Sequence, residues 1–268
     1  MSAAETETRD FAWLKSHIPA DAHCVLTNVS SGMGVISIMG PRSRELLQSL
    51  TPADLSHAAF PFATSQEIEL GFGIVRASRI TFVGELGWEL YIPTEFMQGI
   101  YDVVVEAGDE FGLVHAGYHA LNSLRMEKGY RHWSHDITDE DTPLEAGLGF
   151  TVKFDKEGGF IGREALLQQK EAGLPKRLLQ FKLHDPEPLL YHNEPIWRNG
   201  EIVGHITSGA YGHTLGACIG LGYVHMDHGV KPDEVLDGDY EIEVACERYA
   251  ADASLRPMYD PDNEKIRC

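Results

Sequence analysis

The sequence predicts an α+β protein whose C-terminal part is a small β-barrel or sandwich, and two features of its pattern predict this class. Up to about residue 172, short β-branched runs alternate with segments whose apolar residues repeat at helical spacing. Beyond Pro175 the pattern changes to short β-type runs separated by glycine-rich turns. This change places a domain boundary near residues 173–176.

The N-terminal part opens with a polar, acidic stretch. Residues 1–10 lack periodicity and are expected to form a disordered tail. The domain that follows, over 11–172, starts with a β-branched strand over 34–40, after which Pro41 can open a helix. The other predicted elements are a hairpin of Gly73–Phe82 and Trp88–Ile92, a helix capped by Thr94, and helices over Tyr118–Lys128 and Arg163–Ala172.

The C-terminal domain is predicted over 173–268. Asn199-Gly200 lies between two apolar runs, and because both central residues of a type I′ turn need positive φ, this pair is a strong hairpin signal. The predicted strands of this domain are Leu178–Leu183, Ile202–Thr207, Ile219–His225 and Tyr240–Ala245.

Composition limits the function classes. The 268 residues contain 22 Lys+Arg against 41 Asp+Glu, a formal charge of −19, so sequence-independent binding to nucleic acid or to an anionic membrane is not expected. The four cysteines form no C-x-x-C pair, which argues against a disulfide framework or a thiolate zinc site. The expected location is cytoplasmic, with the mitochondrial matrix kept open.

The strand of the predicted hairpin that contains Glu89 is the first candidate site. Side chains alternate along an extended strand, so Trp88, Leu90 and Ile92 face one side of the sheet. Glu89 and Tyr91 then face the other side. Two interpretations stay open, a solvated glutamate on a half-exposed sheet or a carboxylate presented to two adjacent N–H donors of a ligand.

The helix that follows holds a second set of candidates. Arg125 and Glu127 are two residues apart and cannot face each other on a helix, so each is expected to reach a different partner. Arg125 is expected to be a structural ion-pair residue.

A short histidine-rich segment follows this helix. His132, His135 and Asp136 permit a distant alternative, a metal-dependent hydrolase, but their spacing lacks an H-E-x-x-H context. The acidic residues over 136–141 are most simply a solvated loop. The sequence contains no P-loop, no G-x-G-x-x-G dinucleotide motif and no G-x-S-x-G elbow.

Six segments follow one another along the chain: Val35-Ile-Ser-Ile-Met-Gly-Pro41, Gly84-Glu-Leu-Gly-Trp-Glu89, Asn122-Ser-Leu-Arg-Met-Glu127, Thr142-Pro-Leu-Glu-Ala146, Phe160-Ile-Gly-Arg-Glu-Ala-Leu166, and Ile206-Thr-Ser-Gly209 with Thr214-Leu-Gly216. In this order they resemble the folate-binding aminomethyltransferases, whose best-known member is the glycine cleavage T-protein. Four longer or additional segments are Asn122-Ser-Leu-Arg-Met-Glu-Lys-Gly-Tyr-Arg-His-Trp133, Pro143-Leu-Glu-Ala-Gly-Leu148, Trp197-Arg-Asn-Gly200 and Tyr259-Asp-Pro-Asp-Asn263. These are most similar to the C-terminal folate half of sarcosine and dimethylglycine dehydrogenases.

The resemblance implies a fold and two binding residues. The fold would be a ferredoxin-like α+β folate-binding part, N-terminally truncated, over 11–172, followed by a small C-terminal β-barrel. Glu89 would hold the pterin of tetrahydrofolate, and Phe82 would lie near the folate in place of the usual tyrosine. Leu121 replaces an arginine of the aminomethyltransferases. The resemblance also implies that the catalytic aspartate lies in a section upstream of this chain, so no catalytic residue is assigned.

The implied activity is one-carbon transfer. The chain would be the tetrahydrofolate-binding portion of an enzyme of the aminomethyltransferase or sarcosine dehydrogenase type, forming 5,10-methylenetetrahydrofolate from a unit released by an N-methyl amine. No flavin site is expected within the chain, and a flavin dehydrogenase domain or chain would be a partner, together with folate and the small amine-derived donor. The alternative is a non-catalytic folate-binding or regulatory module that needs a partner chain. Neither nucleic acid nor a membrane is an expected partner.

Overall fold

A computed structural model describes residues 6–226 and 229–268 of the chain. Its α+β class and its closed C-terminal barrel confirm the predicted fold class. The chain divides into two compact units. The first comprises the described residues of Met1–Ile80 together with Gly87–Leu113, and the second comprises Thr81–Leu86 and the described residues of Val114–Cys268. The units therefore divide the chain at other points than the predicted boundary near 173–176.

The first unit contains a four-stranded antiparallel sheet in the order β1-β4-β3-β2. One face of this sheet and two helices form its core, in which α2 packs against α3 and β4. Leu46 and Leu47 of α2 are buried, as are Ile100 and Val104 of α3. The elements of this unit are α1 (Glu7–Ser16), β1 (Met33–Met39), α2 (Ser43–Gln48), β2 (Ser65–Leu70), β3 (Gly73–Ser78), β4 (Gly87–Pro93) and α3 (Met97–Gly108).

The second unit contains a closed six-stranded barrel in the order β10-β5-β8-β7-β6-β9. Phe181, Ile196, Ile206 and Ile242 belong to the core inside it. The elements of this unit are α4 (Tyr118–Glu127), α5 (Arg163–Ala172), β5 (Lys176–Leu183), β6 (Pro195–Arg198), β7 (Glu201–Gly212), β8 (Ala217–His225), α6 (Pro232–Leu236), β9 (Tyr240–Val244), β10 (Glu247–Ser254) and α7 (Glu264–Arg267).

Helix α4 packs on the outside of the barrel and carries the candidate residues Arg125 and Glu127. Met126 of α4 packs in a second core cluster with Ile219, Leu221 and Tyr223 of β8. Strand β8 is therefore buried on both faces, since its alternate residues Cys218 and Val224 belong to the barrel core.

Most predicted elements are confirmed, with small shifts at their ends. The Asn199-Gly200 turn joins β6 to β7, and both residues have positive φ, 52° and 86°. Some details are wrong. Strand β10, which pairs with β5 and β9, was not predicted. Strand β2, which pairs with β3, was not predicted, because only Ile68 and Leu70 of its six residues are apolar. Thr94 makes no side-chain cap, and a 3₁₀ turn precedes α3.

The predicted disordered tail is corrected over residues 7–10, where α1 begins, while residues 1–5 lie outside the described part of the chain. Glu7 and Asp10 in the first turn and Lys15 in the last turn suit the helix dipole, and Thr6 donates to Asp10 at 2.8 Å. Within the described residues, no helix is both long enough and apolar enough to cross a membrane.

Candidate functional site

Strand β4 holds Glu89 in the orientation that the alternating pattern predicts. Trp88, Leu90 and Ile92 are fully buried in the core of the first unit. Glu89 and Tyr91 lie on the opposite face of the sheet and are half-buried. The carboxylate is thus carried by a central strand whose other face is fixed by packing, which restricts its position more than a loop would.

The hydroxyl of Tyr91 orients the Glu89 carboxylate. It donates to Oε2 of Glu89 at 2.6 Å, two residues along the same strand. Burial, followed by this hydrogen bond and the carboxylate charge, raises the pKa of Tyr91, so the hydroxyl stays protonated as a donor. Across the sheet, Glu89 stands opposite Ser37 of β1 and Ser78 of β3. The carboxylate is therefore anchored at one oxygen and flanked by small side chains.

Phe82, the second predicted binding residue, lies in the second unit within a group of aromatic rings. Its ring stacks on that of Tyr130, with centroids 6.3 Å apart and an angle of 16° between the planes. The ring of His132 lies 6.5 Å from Phe82 and in turn contacts the rings of Tyr118 and His135. Nδ1 of His132 faces the carbonyl of Trp133 at 2.6 Å, so the hydrogen-bond network assigns the ring hydrogen to Nδ1 and lets Tyr118 donate to Nε2.

Arg125 forms a buried ion pair, which confirms its prediction as an ion-pair residue. Its Nη1 donates to Oδ2 of Asp136 at 2.5 Å, and both side chains are almost fully buried. Asp136 also accepts from the amide of His132 at 2.8 Å and from the Thr207 hydroxyl at 2.6 Å. Both carboxylate oxygens of Asp136 are therefore occupied by hydrogen bonds within the protein.

Glu127 has a different partner from Arg125, as predicted. It is buried and accepts from the backbone amides of Thr214 and Leu215 at 2.7 and 2.8 Å. This carboxylate ties the end of α4 to the turn between β7 and β8.

The C-terminal segment is bound to the loop that carries the Gly84-Glu-Leu-Gly motif. Nζ of Lys128 donates to Oδ2 of Asp260 at 2.7 Å, and the Tyr259 hydroxyl donates to Oε1 of Glu85 at 2.5 Å. Burial and the bond to Glu85 raise the pKa of Tyr259. Gly84, with φ of +77°, lies directly against the Lys128 side chain.

The prediction of a solvated acidic loop over 136–141 is wrong at two of its four carboxylates. Asp136 is buried against Arg125, and Asp141 pairs with Lys176 at 2.5 Å, whereas Asp139 and Glu140 are exposed as expected. Burial acts to raise the pKa of Asp141, but the hydrogen bonds from Lys176 and from Thr138 outweigh it and hold this pKa below its usual range.

A cavity of about 520 Å³ lies in the second unit between α4, β7 and the loop over 189–192. This volume is within the range of about 300–1,000 Å³ typical of small-molecule sites. Arg125 and Asn122 of α4 and Ser208 of β7 line it. No feature of the sequence pattern indicated this cavity, because its walls come from three separated segments.

The distant metal-hydrolase alternative is not supported by the geometry. Asp136 is committed to the Arg125 ion pair, although His132 and His135 are adjacent. Across residues 6–226 and 229–268, no group of three or more His, Cys, Asp or Glu side chains is arranged to hold a metal ion. All four cysteines are free thiols.

Comparison with known families assigns the chain. The GCVT N-terminal domain family matches residues 1–156, and the glycine cleavage T-protein C-terminal barrel domain family matches residues 176–260. The first match alone spans more than half of the chain. The chain belongs to the glycine cleavage T-protein family. This confirms the family resemblance of the sequence motifs.

Curated relatives of this T-protein family chain include two amine-oxidising enzymes. The chain is 45% identical over 248 residues to "Sarcosine dehydrogenase, mitochondrial" of Homo sapiens, covering 92% of the chain and 27% of the relative. It is 41% identical over 262 residues to "4-methylaminobutanoate oxidase (formaldehyde-forming)" of Paenarthrobacter nicotinovorans, covering 98% of the chain and 31% of the relative. The chain therefore spans less than a third of the length of either protein.

A solved structure shows the same fold. The crystal structure of glycine cleavage system aminomethyltransferase T from Bartonella henselae matches with a TM-score of 0.80 and 21% sequence identity, over 96% of this chain and 67% of that chain. At this identity the match establishes the T-protein fold and not the activity.

Proposed function

We propose that the chain is the tetrahydrofolate-binding portion of a one-carbon transferase, and that Glu89 binds the pterin ring. The observation that carries the proposal is the Glu89 carboxylate on central strand β4, half-buried and oriented by the 2.6 Å hydrogen bond from Tyr91. Membership of the T-protein family and the motif Gly84-Glu-Leu-Gly-Trp-Glu89 support the choice of ligand.

The chemistry of the carboxylate suits a pterin. A pterin presents a ring N–H and an exocyclic amine side by side, and one carboxylate can accept from both. A carboxylate offers about four lone-pair directions, of which Tyr91 occupies one at Oε2. Oε1 and the remaining lone pair of Oε2 are then left for the ligand. Phe82 would supply a flat apolar surface near the folate, with Tyr130 stacked behind it.

The proposed donor is an N-methylated amino acid. Sarcosine and 4-methylaminobutanoate, the compounds in the names of the two relatives, both carry an N-methyl group and a carboxylate. Oxidation of the methyl group releases a one-carbon unit at the oxidation level of formaldehyde. Tetrahydrofolate would capture this unit, with loss of water, to give 5,10-methylenetetrahydrofolate. The oxidation itself is assigned to a flavin-bearing domain or partner chain.

The proposed compartment is a reducing one. Three of the four free cysteines are exposed, which suits the cytoplasm or the mitochondrial matrix better than an oxidising environment. The names of the sarcosine dehydrogenase relatives include the word mitochondrial.

Calorimetric titration with tetrahydrofolate tests the pterin assignment. Glu89→Gln keeps the shape of the side chain and removes its charge, so binding should weaken by about tenfold to a hundredfold, the cost of a charge-assisted hydrogen bond. Glu69→Gln, at an exposed position of β2 in the same sheet, is the matched control and should bind as the wild type does. Equal binding by the two variants, or no binding by the wild type, would contradict the assignment.

A second measurement separates transfer from mere binding. A flavin enzyme that oxidises sarcosine is mixed with tetrahydrofolate, once with the chain and once without it. The amounts of free formaldehyde and of 5,10-methylenetetrahydrofolate that form are then measured. A larger methylenetetrahydrofolate fraction in its presence supports a transferase. An unchanged fraction, together with tetrahydrofolate binding, would favour the alternative of a non-catalytic module.

A further inference from the structure

Two arginines of the second unit, Arg131 and Arg177, meet at Gly147. A Cβ atom added at Gly147 would lie 2.7 Å from Nη2 of Arg131 and 3.4 Å from Nη2 of Arg177, which limits the separation of the two Nη2 atoms to the total of these distances, about 6 Å. One acceptor atom at hydrogen-bond distances of about 2.7–3.2 Å can bridge two nitrogens that are this far apart. Both arginines are partly buried, so a small ligand can reach them from solvent.

The hydrogen bonds of both guanidiniums go to backbone carbonyls. Nε and Nη1 of Arg131 donate to the carbonyls of Ala146 and Gly129 at 3.0 and 2.5 Å. Nη1 of Arg177 donates to the carbonyl of Leu144 at 2.5 Å. Within the described residues neither Nη2 atom has an acceptor, and neither arginine has an ion pair. Burial and the charge of Arg177 lower the pKa of Arg131, because both disfavour its charged form.

The hydroxyl of Tyr223 is a third donor without an acceptor. Tyr223 is 6% exposed, and among residues 6–226 and 229–268 its buried Oη has no hydrogen-bond partner. Burial, followed by the charges of nearby carboxylates, raises the pKa of Tyr223, so the hydroxyl keeps its hydrogen. Electrostatic interactions of this hydroxyl with Arg131 and with Arg177 show that it lies near both guanidiniums. A buried donor left without an acceptor costs stability, so a bound acceptor is favoured here.

The charged side chains around Tyr223 leave one positive charge uncompensated. In the described part of the chain, four of them form two ion pairs and three are unpaired. The pairs are Arg125–Asp136 and Lys176–Asp141, and the unpaired groups are Arg131, Arg177 and Glu145. Burial lowers the pKa of the neighbouring His225, so it adds no charge at neutral pH. Two arginines against one glutamate give a local charge of +1, in a chain whose formal charge is −19.

We propose that Arg131, Arg177 and the Tyr223 hydroxyl bind a small monovalent anion of the size of chloride. Such an ion only accepts hydrogen bonds, so it satisfies three donors at once and neutralises the local charge. A water molecule would occupy the same donors but leave the positive charge uncompensated. The bound ion would join the segment after α4 to strand β5. The site lies within the second unit and does not depend on the proposed function.

Thermal unfolding of the purified chain in sodium chloride and in sodium gluconate at equal ionic strength tests the site. The two salts screen charges to the same extent, and gluconate is too bulky to reach a buried hydroxyl. With chloride at about ten times its dissociation constant, the wild-type Tm should be about 3–6 °C higher in chloride than in gluconate. The difference should grow as the concentration of both salts is raised together.

Replacing Tyr223 tests the buried donor. Tyr223→Phe breaks no hydrogen bond within the described residues, so its Tm in gluconate should be no lower than that of the wild type. Its gain in chloride should be smaller. Tyr240→Phe is the matched control, because Tyr240 is 4% exposed but donates to the carbonyl of Val235 at 2.6 Å. This control should lower Tm in both salts and keep the full chloride difference.

Replacing Arg177 tests the excess charge. Arg177→Gln should abolish the difference between the two salts. Arg256→Gln makes the same charge change at an exposed ion pair with Asp262 and should keep the difference. If Arg177→Gln does not fold, the comparison of Tyr223→Phe with Tyr240→Phe still decides the outcome.

Bromide soaked into crystals gives a direct measurement, because bromide is located by its anomalous scattering. A bromide peak within hydrogen-bond reach of Nη2 of Arg131 and of Arg177 would support the site. Equal wild-type Tm in the two salts, no bromide at this position, or a chloride difference that Tyr223→Phe and Arg177→Gln both retain in full would each overturn it. None of these measurements involves tetrahydrofolate, so a negative result leaves the pterin role of Glu89 untouched.

Discussion

Replacing Asp136 with Asn tests the buried ion pair beside the cavity. If the new side-chain amide keeps its oxygen at the Oδ2 position, that oxygen still accepts from Arg125 and from the backbone N–H of His132. The Thr207 hydroxyl loses its acceptor at Oδ1 and retains only its longer hydrogen bond to the Leu221 carbonyl. The main loss is the negative charge opposite a guanidinium that is 2% exposed. Removing one partner of a buried pair costs about 3–5 kcal/mol. Because most of the hydrogen bonds survive, we expect about 3 kcal/mol, the lower end of that range.

Urea denaturation followed by circular dichroism measures this change in the free energy of unfolding. In thermal unfolding the same loss should lower Tm by about 6–12 °C for a unit of this size. Asp139→Asn is the matched control, because Asp139 lies three residues further on, is exposed, and changes the net charge equally. The control should change stability by less than about 0.5 kcal/mol. If Asp136→Asn differs from Asp139→Asn by no more than that, the ion pair does not hold this part of the second unit together.

Three further changes have expected outcomes. Tyr91→Phe should weaken tetrahydrofolate binding by about twofold to tenfold in calorimetry, because Glu89 loses the hydrogen bond that orients it. The pKa of Asp141 is lowered in the folded protein, so its contribution to stability is present above the ordinary carboxyl pKa of about 4 and is lost as the pH falls through the lower folded pKa. Lys176→Met should therefore reduce the difference in urea midpoint between neutral and acidic pH. Gly84→Ala should lower the free energy of unfolding by about 2–3 kcal/mol, through its positive φ and a contact between the new Cβ and a neighbouring side chain.

Each of these changes has a matched control. Tyr249 donates to Glu247 two residues earlier, as Tyr91 does to Glu89, but it lies on barrel strand β10 of the second unit, so Tyr249→Phe should leave tetrahydrofolate binding unchanged. Lys182→Met, on the same strand as Lys176, should retain the acid dependence of the wild type. Gly216 has a similar positive φ with open space around it, so Gly216→Ala should cost less than Gly84→Ala. If a variant and its matched control have equal effects, the contact to which the effect of that variant is attributed would be contradicted.

The strand of Glu89 shows what local sequence determines. The alternation from Trp88 to Ile92 correctly gave the direction of every side chain, because the two-residue period of a strand is independent of what packs around it. The same reasoning missed β2, since an edge strand with charged residues lacks the apolar signal.

Long-range partners could not be predicted in this way. Asp141 and Lys176 are 35 residues apart, and Lys128 and Asp260 are 132 apart, so their pairing depends on how the barrel closes and not on local pattern. Asp136 seemed a solvated acid for the same reason. Family motifs supplied the candidate roles of Glu89 and Phe82, whereas the cavity is lined by three separated segments that no local pattern relates to one another.

The strand order of the barrel has a consequence for synthesis of the chain. Strand β5 is the first barrel strand to be made and β10 the last, yet the two are neighbours, with Ser254 opposite Gln180. The sheet of the five earlier strands therefore keeps one edge of β5 and one edge of β9 unpaired until residues near 254 have left the ribosome. We expect a nascent or prematurely terminated chain that stops before β10 to need chaperone protection, because the exposed strand edges can pair with other chains.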